Sequence, residues 1–301
     1  MSGEKLPARH AVALGLIQGP AELLPISSSS HTALIPWLMR WRCATLDVEL
    51  RRSLEVALHA GTAAALVVSG VAEVPVRRPF SRLMLLAVVP PACAGYLLEQ
   101  FIDRRLSSPA TIAFGLLLGA AGMTAADGAV RSDRRAQDAG ALDGLLLGLA
   151  QVTALAPGVS RNGATLAVAR ARGFSRVEAD ALSWQVGVPV IAGAAVLKLA
   201  RARWSSQPAR IKRALAAGAA SAIASTLVGA RAIEAGRERV NARRAAHNGR
   251  GAAHARGRLA PYAAYRVGLA LLVIGRLRQD RVARRAPAGL QAAARRRTAG
   301  T

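Results

Sequence analysis

The sequence predicts an all-α integral membrane protein, a multi-pass helical bundle. The 301 residues are 52% hydrophobic with a mean hydropathy of +0.26, which is more apolar than is usual for a soluble chain. A helix needs about 20 predominantly apolar residues to span a bilayer. Five segments approach that length without any Asp, Glu, Lys or Arg: 83–98, 106–126, 144–160, 181–197 and 214–230.

Two further apolar segments complete the bundle. Segment 54–72 is interrupted by Glu55 and His59, and segment 267–275 follows Arg266. A soluble protein with a large buried core is the alternative, but so many long charge-free segments in one chain favour a membrane.

The charge of the chain indicates its partner. The formal net charge is +24, from 41 Lys and Arg against 17 Asp and Glu, and such an excess suits either nucleic acid or anionic lipid. The basic residues lie mainly between the apolar segments and at the end of the chain, and no basic domain with interleaved aromatic residues occurs. We therefore expect a membrane partner and no nucleic acid.

Two apolar segments carry prolines and polar residues. Segment 11–39 contains prolines at 20, 25 and 36, together with Glu22 and four serines that precede His31. Segment 144–165 contains Pro157 and Arg161. Proline breaks a helix, and the freed backbone groups are tolerated at membrane depth only in protein or beside a wet cavity. The sequence therefore predicts two broken or re-entrant segments that line a polar cavity.

These two segments resemble each other. Gly-Leu-Ile-Gln at 15–18 is echoed by Gly-Leu-Ala-Gln at 148–151, 133 positions later. We expect one membrane domain over residues 1–275, built from halves of about 1–130 and 131–275. By analogy with membrane folds that pair broken helices, the halves form an inverted repeat. A basic loop at 234–258 and a basic, disordered tail at 276–301 complete the expected organisation.

The first segment offers an acid and several hydroxyls. Gln18 and Glu22 share a helix face, and an ionisable residue in an apolar segment is a functional candidate; a structural pair with an Arg is the alternative. A carboxylate with waters and phosphate oxygens suits Mg²⁺. Ser27 and Ser28 lie where a helix start binds an anion, and His31 could transfer a proton or attack phosphorus. Capping serines beside an interfacial histidine are the alternative.

The second segment offers an arginine. Ser160 can cap the next helix, and Arg161 presents a bidentate fork for phosphate oxygens. A guanidinium that reaches the lipid headgroups is the alternative. Glu55 and His59, four apart on another span, either support the site indirectly or lie at the membrane interface.

Both segments resemble the bacitracin-resistance type of undecaprenyl-diphosphate phosphatase. The family pattern (Glu/Gln)-x-x-x-Glu, followed by a serine-rich stretch ending in His, stands here at 18–31. Its second pattern, Pro-Gly-x-Ser-Arg-Ser-x-x-Thr, stands at 157–165. The resemblance covers about residues 8–275. The sequence departs from the family at three positions, with Gln18 for Glu, Ser30 for Gly and Asn162 for Ser.

The resemblance implies an enzyme of the bacterial cell membrane. It would hydrolyse undecaprenyl diphosphate to undecaprenyl phosphate and phosphate, which recycles the carrier lipid for peptidoglycan synthesis and confers bacitracin resistance. A divalent metal, Mg²⁺ or Ca²⁺, is expected. The implied residues are Glu22, His31, Ser28 and Arg161 for catalysis, Ser27, Ser160, Asn162 and Thr165 for the phosphates, and Glu22 with Gln18 for the metal. The nucleophile is His31, Ser28 or a water that His31 activates.

Other functions fit parts of the same pattern. A transporter or flippase of polyprenyl phosphate would also use broken helices and an inverted repeat. A structural subunit would need neither polar segment. A second lipid phosphatase superfamily has a Lys-x6-Arg-Pro signature, which this sequence lacks. A homodimer is a possible assembly of this chain.

Overall fold

The computed structural model describes residues 6–70, 81–128, 134–202, 204, 207–246 and 259–285. Within these ranges the chain forms ten α-helices, two short 3₁₀ turns and no strand, so the predicted all-α class is confirmed. The helices are α1 Ala8–Leu23, α2 Ser28–Leu38, α3 Val48–Val68, α4 Arg82–Arg105, α5 Pro109–Gly128, α6 Ala141–Thr153, α7 Arg161–Ala171, α8 Arg176–Arg201, α9 Ala209–Ala246 and α10 Ala260–Arg285.

The helices have the length and surface of a membrane protein. Four of the described helices are long and apolar enough to cross a bilayer, with apolar segments in Arg82–Arg105, Pro109–Asp127, Arg176–Arg201 and Ala209–Gly236. Large apolar side chains also face outward, and Val68, Leu97 and Phe114 are 78%, 75% and 67% exposed. Contiguous exposed apolar surface is unusual in soluble monomers, so the outer face of the bundle contacts lipid.

Both predicted segments contain a break between two short helices. α1 ends at Leu23 and α2 begins at Ser28, while α6 ends at Thr153 and α7 begins at Arg161. Pro20 and Pro36 lie inside helices, so in the first segment only Pro25 marks the interruption. Re-entry of each helix pair from one membrane face stays a prediction.

The helix packing is consistent with two equivalent halves. α1 packs along α9, and α6 packs along α4; α3 contacts α8, and α5 contacts α10. When α1–α5 are exchanged with α6–α10, the first two of these contacts exchange places and the last two map onto themselves. Two similar halves would produce this pattern, and the inverted repeat stays a prediction.

Glycines allow two of these helix pairs to approach closely. A Cβ at Gly15 would overlap the backbone of α9 at Gly218, and a Cβ at Gly148 would overlap the backbone of α4 at Leu86. Small residues at helix interfaces let backbones meet in membrane proteins. The broken segments are thereby held against long helices.

The predicted basic loop and tail are partly wrong. α9 continues to Ala246, so residues 234–246 are helical, because Ala, Arg and Glu are strong helix formers. α10 continues to Arg285. Within it, an ion pair of 3.3 Å between Arg276 and Asp280, four positions apart, stabilises the helix. Residues 247–258 and 286–301 lie outside the described residues.

Candidate active site

A cavity of about 860 Å³ lies between the two breaks. The size suits a bound organic ligand, since such sites measure about 300–1,000 Å³. Residues of both breaks line it together, which is the arrangement the sequence predicts. Six of the predicted site residues are in its wall: Glu22, Ser27, Ser28, Ser160, Arg161 and Asn162.

Glu22 joins the breaks through its carboxylate. Oε2 accepts a hydrogen bond of 2.6 Å from Ser28 Oγ, and Oε1 lies 3.4 Å from Nη2 of Arg161. Only 10% of the Glu22 side chain and 13% of the Arg161 side chain are exposed. A buried charge needs an opposite charge and hydrogen bonds, and these two residues supply both to each other.

The Arg161 guanidinium packs against α8. Nη1 lies 3.4 Å from the Ser183 carbonyl oxygen, and the guanidinium carbon lies 5.1 Å from the centre of the Trp184 ring. A Cβ at Gly187 would overlap Nη1. Glycine at 187 therefore provides the space that the guanidinium occupies beside Glu22.

Ser27 and Ser160 have the same unusual backbone conformation. Each precedes the second helix of its break, they are 133 positions apart, and their φ angles are 74° and 68°. Non-glycine residues with positive φ are strained and cluster at functional sites. Ser160 Oγ accepts a hydrogen bond from the Gly163 amide, and Ser27 Oγ accepts one from Ser30 Oγ.

Two helix starts therefore meet the cavity. The first amide groups of a helix have no acceptor within that helix, and the helix dipole places positive charge at the same end. Since Ser27 and Ser160 both line the cavity, the starts of α2 and α7 are placed to bind an anion.

Three predicted site residues do not line this cavity. His31 places Nδ1 2.7 Å from the Ser27 carbonyl oxygen and Nε2 2.7 Å from the Tyr265 hydroxyl. Thr165 is fully buried and donates to the Arg161 carbonyl oxygen. Gln18 is also fully buried, and within the described structure neither side-chain atom of its amide has a hydrogen-bond partner.

Comparison with known proteins identifies the family of this chain. A family model described as bacitracin resistance protein BacA matches residues 11–244, a range that contains both breaks. The chain belongs to the BacA family. This confirms the resemblance inferred from the two sequence patterns.

Two curated relatives match more than half of this chain. A protein of Moorella thermoacetica named undecaprenyl-diphosphatase is 38% identical over 204 residues, which are 63% of this chain and 75% of the relative. One of Geobacter sulfurreducens with the same name is 36% identical over 245 residues, 73% of this chain and 86% of the relative. The family places this multi-pass protein in a bacterial cell membrane.

Arg266 has a role that the sequence patterns did not show. In this BacA-family chain it is fully buried on α10. Its guanidinium donates to the Pro25 carbonyl of the first break, at 3.5 Å, and to the Gly158 and Val159 carbonyls of the second, the latter at 2.8 Å. One side chain therefore bridges both breaks. The sequence signals were an arginine isolated before an apolar segment and the Tyr265-Arg266 pair, which resembles the family, and neither indicated a bridge between the breaks.

The wall of the cavity also contains residues from α3 and α8 whose roles the sequence left open. Glu55 and His59 line it from α3, so they share the cavity with the predicted site residues. Gly187, within Trp-Gln-Val-Gly at 184–187, gave no signal, because only the folded position of Arg161 shows why a side chain is excluded there.

Proposed function

We propose that this chain hydrolyses undecaprenyl diphosphate to undecaprenyl phosphate and inorganic phosphate. This reaction would recycle the carrier lipid for cell-wall synthesis and confer resistance to bacitracin. The observation that carries the proposal is the Glu22–Arg161 pair, which lies with two helix starts in one cavity. The names of the curated relatives agree with it.

The cavity suits the diphosphate by charge. Phosphoryl transfer depends mainly on positioning and on electrostatic stabilisation of the transferred group. Arg161 can hold phosphoryl oxygens through two parallel hydrogen bonds, and Ser27, Ser160 and Asn162 add polar groups in the same wall. Thr165 is proposed to act indirectly, since it binds the carbonyl of Arg161.

The polyprenyl tail suits the remaining wall. Apolar side chains of α4 and α8 line the same cavity, among them Pro91, Val190, Ile191 and Ala194. α4 also exposes Leu97 to the lipid side. A substrate with a charged head and an apolar chain would therefore place its head between the breaks and its chain between α4 and α8.

The three candidate nucleophiles differ in their hydrogen bonds. Both ring nitrogens of His31 are engaged, one with a backbone carbonyl and one with Tyr265, so His31 is the least suited. Ser28 directs its hydroxyl proton at Glu22, which is how a base activates a hydroxyl. Ser28 and a water molecule are thus the two nucleophiles that the proposal retains, and an acid-quenched phosphoserine would identify the first.

A divalent cation fits the Glu22 end of the site. The described residues contain no group of three or more His, Cys, Asp or Glu side chains that could hold a metal ion. Mg²⁺, however, is often bound by one or two carboxylates together with substrate phosphates. Glu22 would be the protein ligand, and the unpartnered Gln18 amide lies one helical turn before it. When bound, the cation would neutralise charge on the diphosphate.

A flippase is the alternative activity, because it needs the binding groups without the chemistry. The test is phosphate release from a C55 diphosphate by the purified protein with Mg²⁺, compared with lipid movement in liposomes. Release of phosphate supports the phosphatase, and movement without release supports the flippase. The same purified sample tests a homodimer by its mass in detergent.

A further inference from the structure

His59 lines the cavity in a form suited to accept a proton. Its Nδ1 lies 2.8 Å from the backbone carbonyl oxygen of Glu55, one turn earlier on α3. A carbonyl oxygen only accepts, so Nδ1 carries the hydrogen and Nε2 holds the lone pair. Within the described structure no hydrogen bond involves Nε2. The ring is thus oriented by its own helix and leaves a base available in the cavity wall.

The titratable groups of the first break are less available as bases. His31 has both nitrogens in hydrogen bonds and does not line the cavity. The carboxylate of Glu22 already accepts from Ser28 and faces Arg161. Among the described residues of the cavity wall, His59 is the only histidine. Imidazole is the side chain that ordinarily changes charge between pH 5 and 8.

The charged surroundings of His59 come from several helices. Glu22 is close enough to interact electrostatically with it, and so is Glu55. α9, which packs along α3, has no charged residue between 214 and 230. The charged groups that share the cavity wall with His59 are Glu22 from α1, Glu49, Arg51, Arg52 and Glu55 from α3, Glu99 and Asp103 from α4, Arg161 from α7, and Lys198 and Arg201 from α8.

We propose that Nε2 of His59 is the general base for the water that enters this reaction, an inference that rests on the proposed function. As the water oxygen forms its bond to phosphorus, one water proton moves to Nε2. The bond from phosphorus to the leaving oxygen breaks, and its electron pair stays on that oxygen. The leaving oxygen is the bridging oxygen of the diphosphate, or Ser28 Oγ if a phosphoserine forms first. The imidazolium then gives its proton to solvent, or to Ser28 Oγ where that oxygen is the leaving group.

The test is the pH profile of kcat for phosphate release. A base must be neutral to accept a proton, so wild-type kcat should fall as the medium is made more acidic, which gives the profile an acidic limb. In H59Q we expect kcat to fall by about 10² or more, the acidic limb to disappear, and KM to change less. H59N, which can keep the bond to the Glu55 carbonyl, should behave like H59Q. Imidazole in the buffer should raise the rate of H59A.

His10→Gln is the matched control, since His10 stacks on Trp41 at 4.6 Å and does not line the cavity. The His10→Gln variant should show the same fall of kcat at acidic pH as the wild-type protein. The inference is overturned if kcat of H59Q or H59N still falls at acidic pH as it does in the wild type. It is also overturned if these variants differ from the wild type only in the Mg²⁺ concentration that they require. If the wild-type protein releases no phosphate at all, the proposed function fails as well, which separates the two failures.

Discussion

Nη2 of Arg161 lies 3.4 Å from Oε1 of Glu22 and joins the first residue of α7 to the last turn of α1. The two residues are 139 positions apart, and each belongs to a different break. Because both side chains are largely buried, each charge depends on the other. Substrate phosphate would meet the guanidinium where the two breaks join. The charges of Glu22 and Arg161 should therefore affect the rate of phosphate release more than other charges along the cavity do.

Removing the charge of Glu22, or replacing the planar guanidinium fork of Arg161 by an ammonium group, should therefore abolish most activity. We expect Glu22→Gln and Arg161→Lys each to lower kcat for phosphate release by about 10²- to 10³-fold, the loss typical of one transition-state contact. Glu99→Gln is the control, because its bridge to Arg201 is exposed and such bridges contribute little. Equal rates for the control and the two variants would contradict a special role for the pair.

A methyl group at position 187 should displace the arginine. In Gly187→Ala the Cβ would occupy the position of Nη1 of Arg161, so we expect kcat/KM to fall about tenfold or more, about 1.4 kcal/mol at the transition state. Gly193→Ala on the same helix is matched, since no heavy atom lies within 4 Å of its Cβ. In an Arg161→Ala background Gly187→Ala should add no further loss; an additive loss would show that Gly187 acts elsewhere.

Loss of Arg266 should loosen both breaks. Arg266→Met would leave buried carbonyls at Pro25, Gly158 and Val159 without this donor, and each unsatisfied buried group costs about 1–3 kcal/mol. We expect a lower thermal unfolding midpoint in detergent and reduced activity. Arg281→Met, on the exposed side of α10, should leave the midpoint unchanged. A midpoint unaffected by Arg266→Met would show that the bridge contributes no stability.

The sequence was most informative where a local rule applied. Charge-free segments located the helices, and Pro25 and Pro157 marked the breaks, because proline has no amide hydrogen to donate within a helix. Proline alone did not decide the position, since Pro20 and Pro36 lie inside helices. Helix ends at 246 and 285 were missed, since the charged composition of those residues suits a solvated loop as well as a helix. His31 was placed by its spacing from the serines, but its partner Tyr265 is distant in the chain and only folding brings the two rings together. The same holds for Arg266 and Gly187.

Close approach of α6 to α4 gives a prediction about packing. In Gly148→Ala a Cβ would overlap the backbone of Leu86, so the two helices must separate; overpacking of this kind costs about 1–3 kcal/mol. Gly268→Ala on α10 has open space and should be neutral or slightly stabilising, as alanine is the better helix former. Thermal unfolding of both variants measures the difference, and equal midpoints would contradict the packing.

The initial rate of phosphate release from undecaprenyl diphosphate, with Mg²⁺ and with a chelator in parallel, tests the proposed activity most directly. We expect the purified wild-type protein to release one phosphate for each undecaprenyl phosphate formed, the chelator to stop the reaction, and Arg161→Lys to be nearly inactive while folded. Absence of release by the folded wild-type protein, or undiminished release by Arg161→Lys, would contradict the assignment of this cavity as a diphosphate-hydrolysing site.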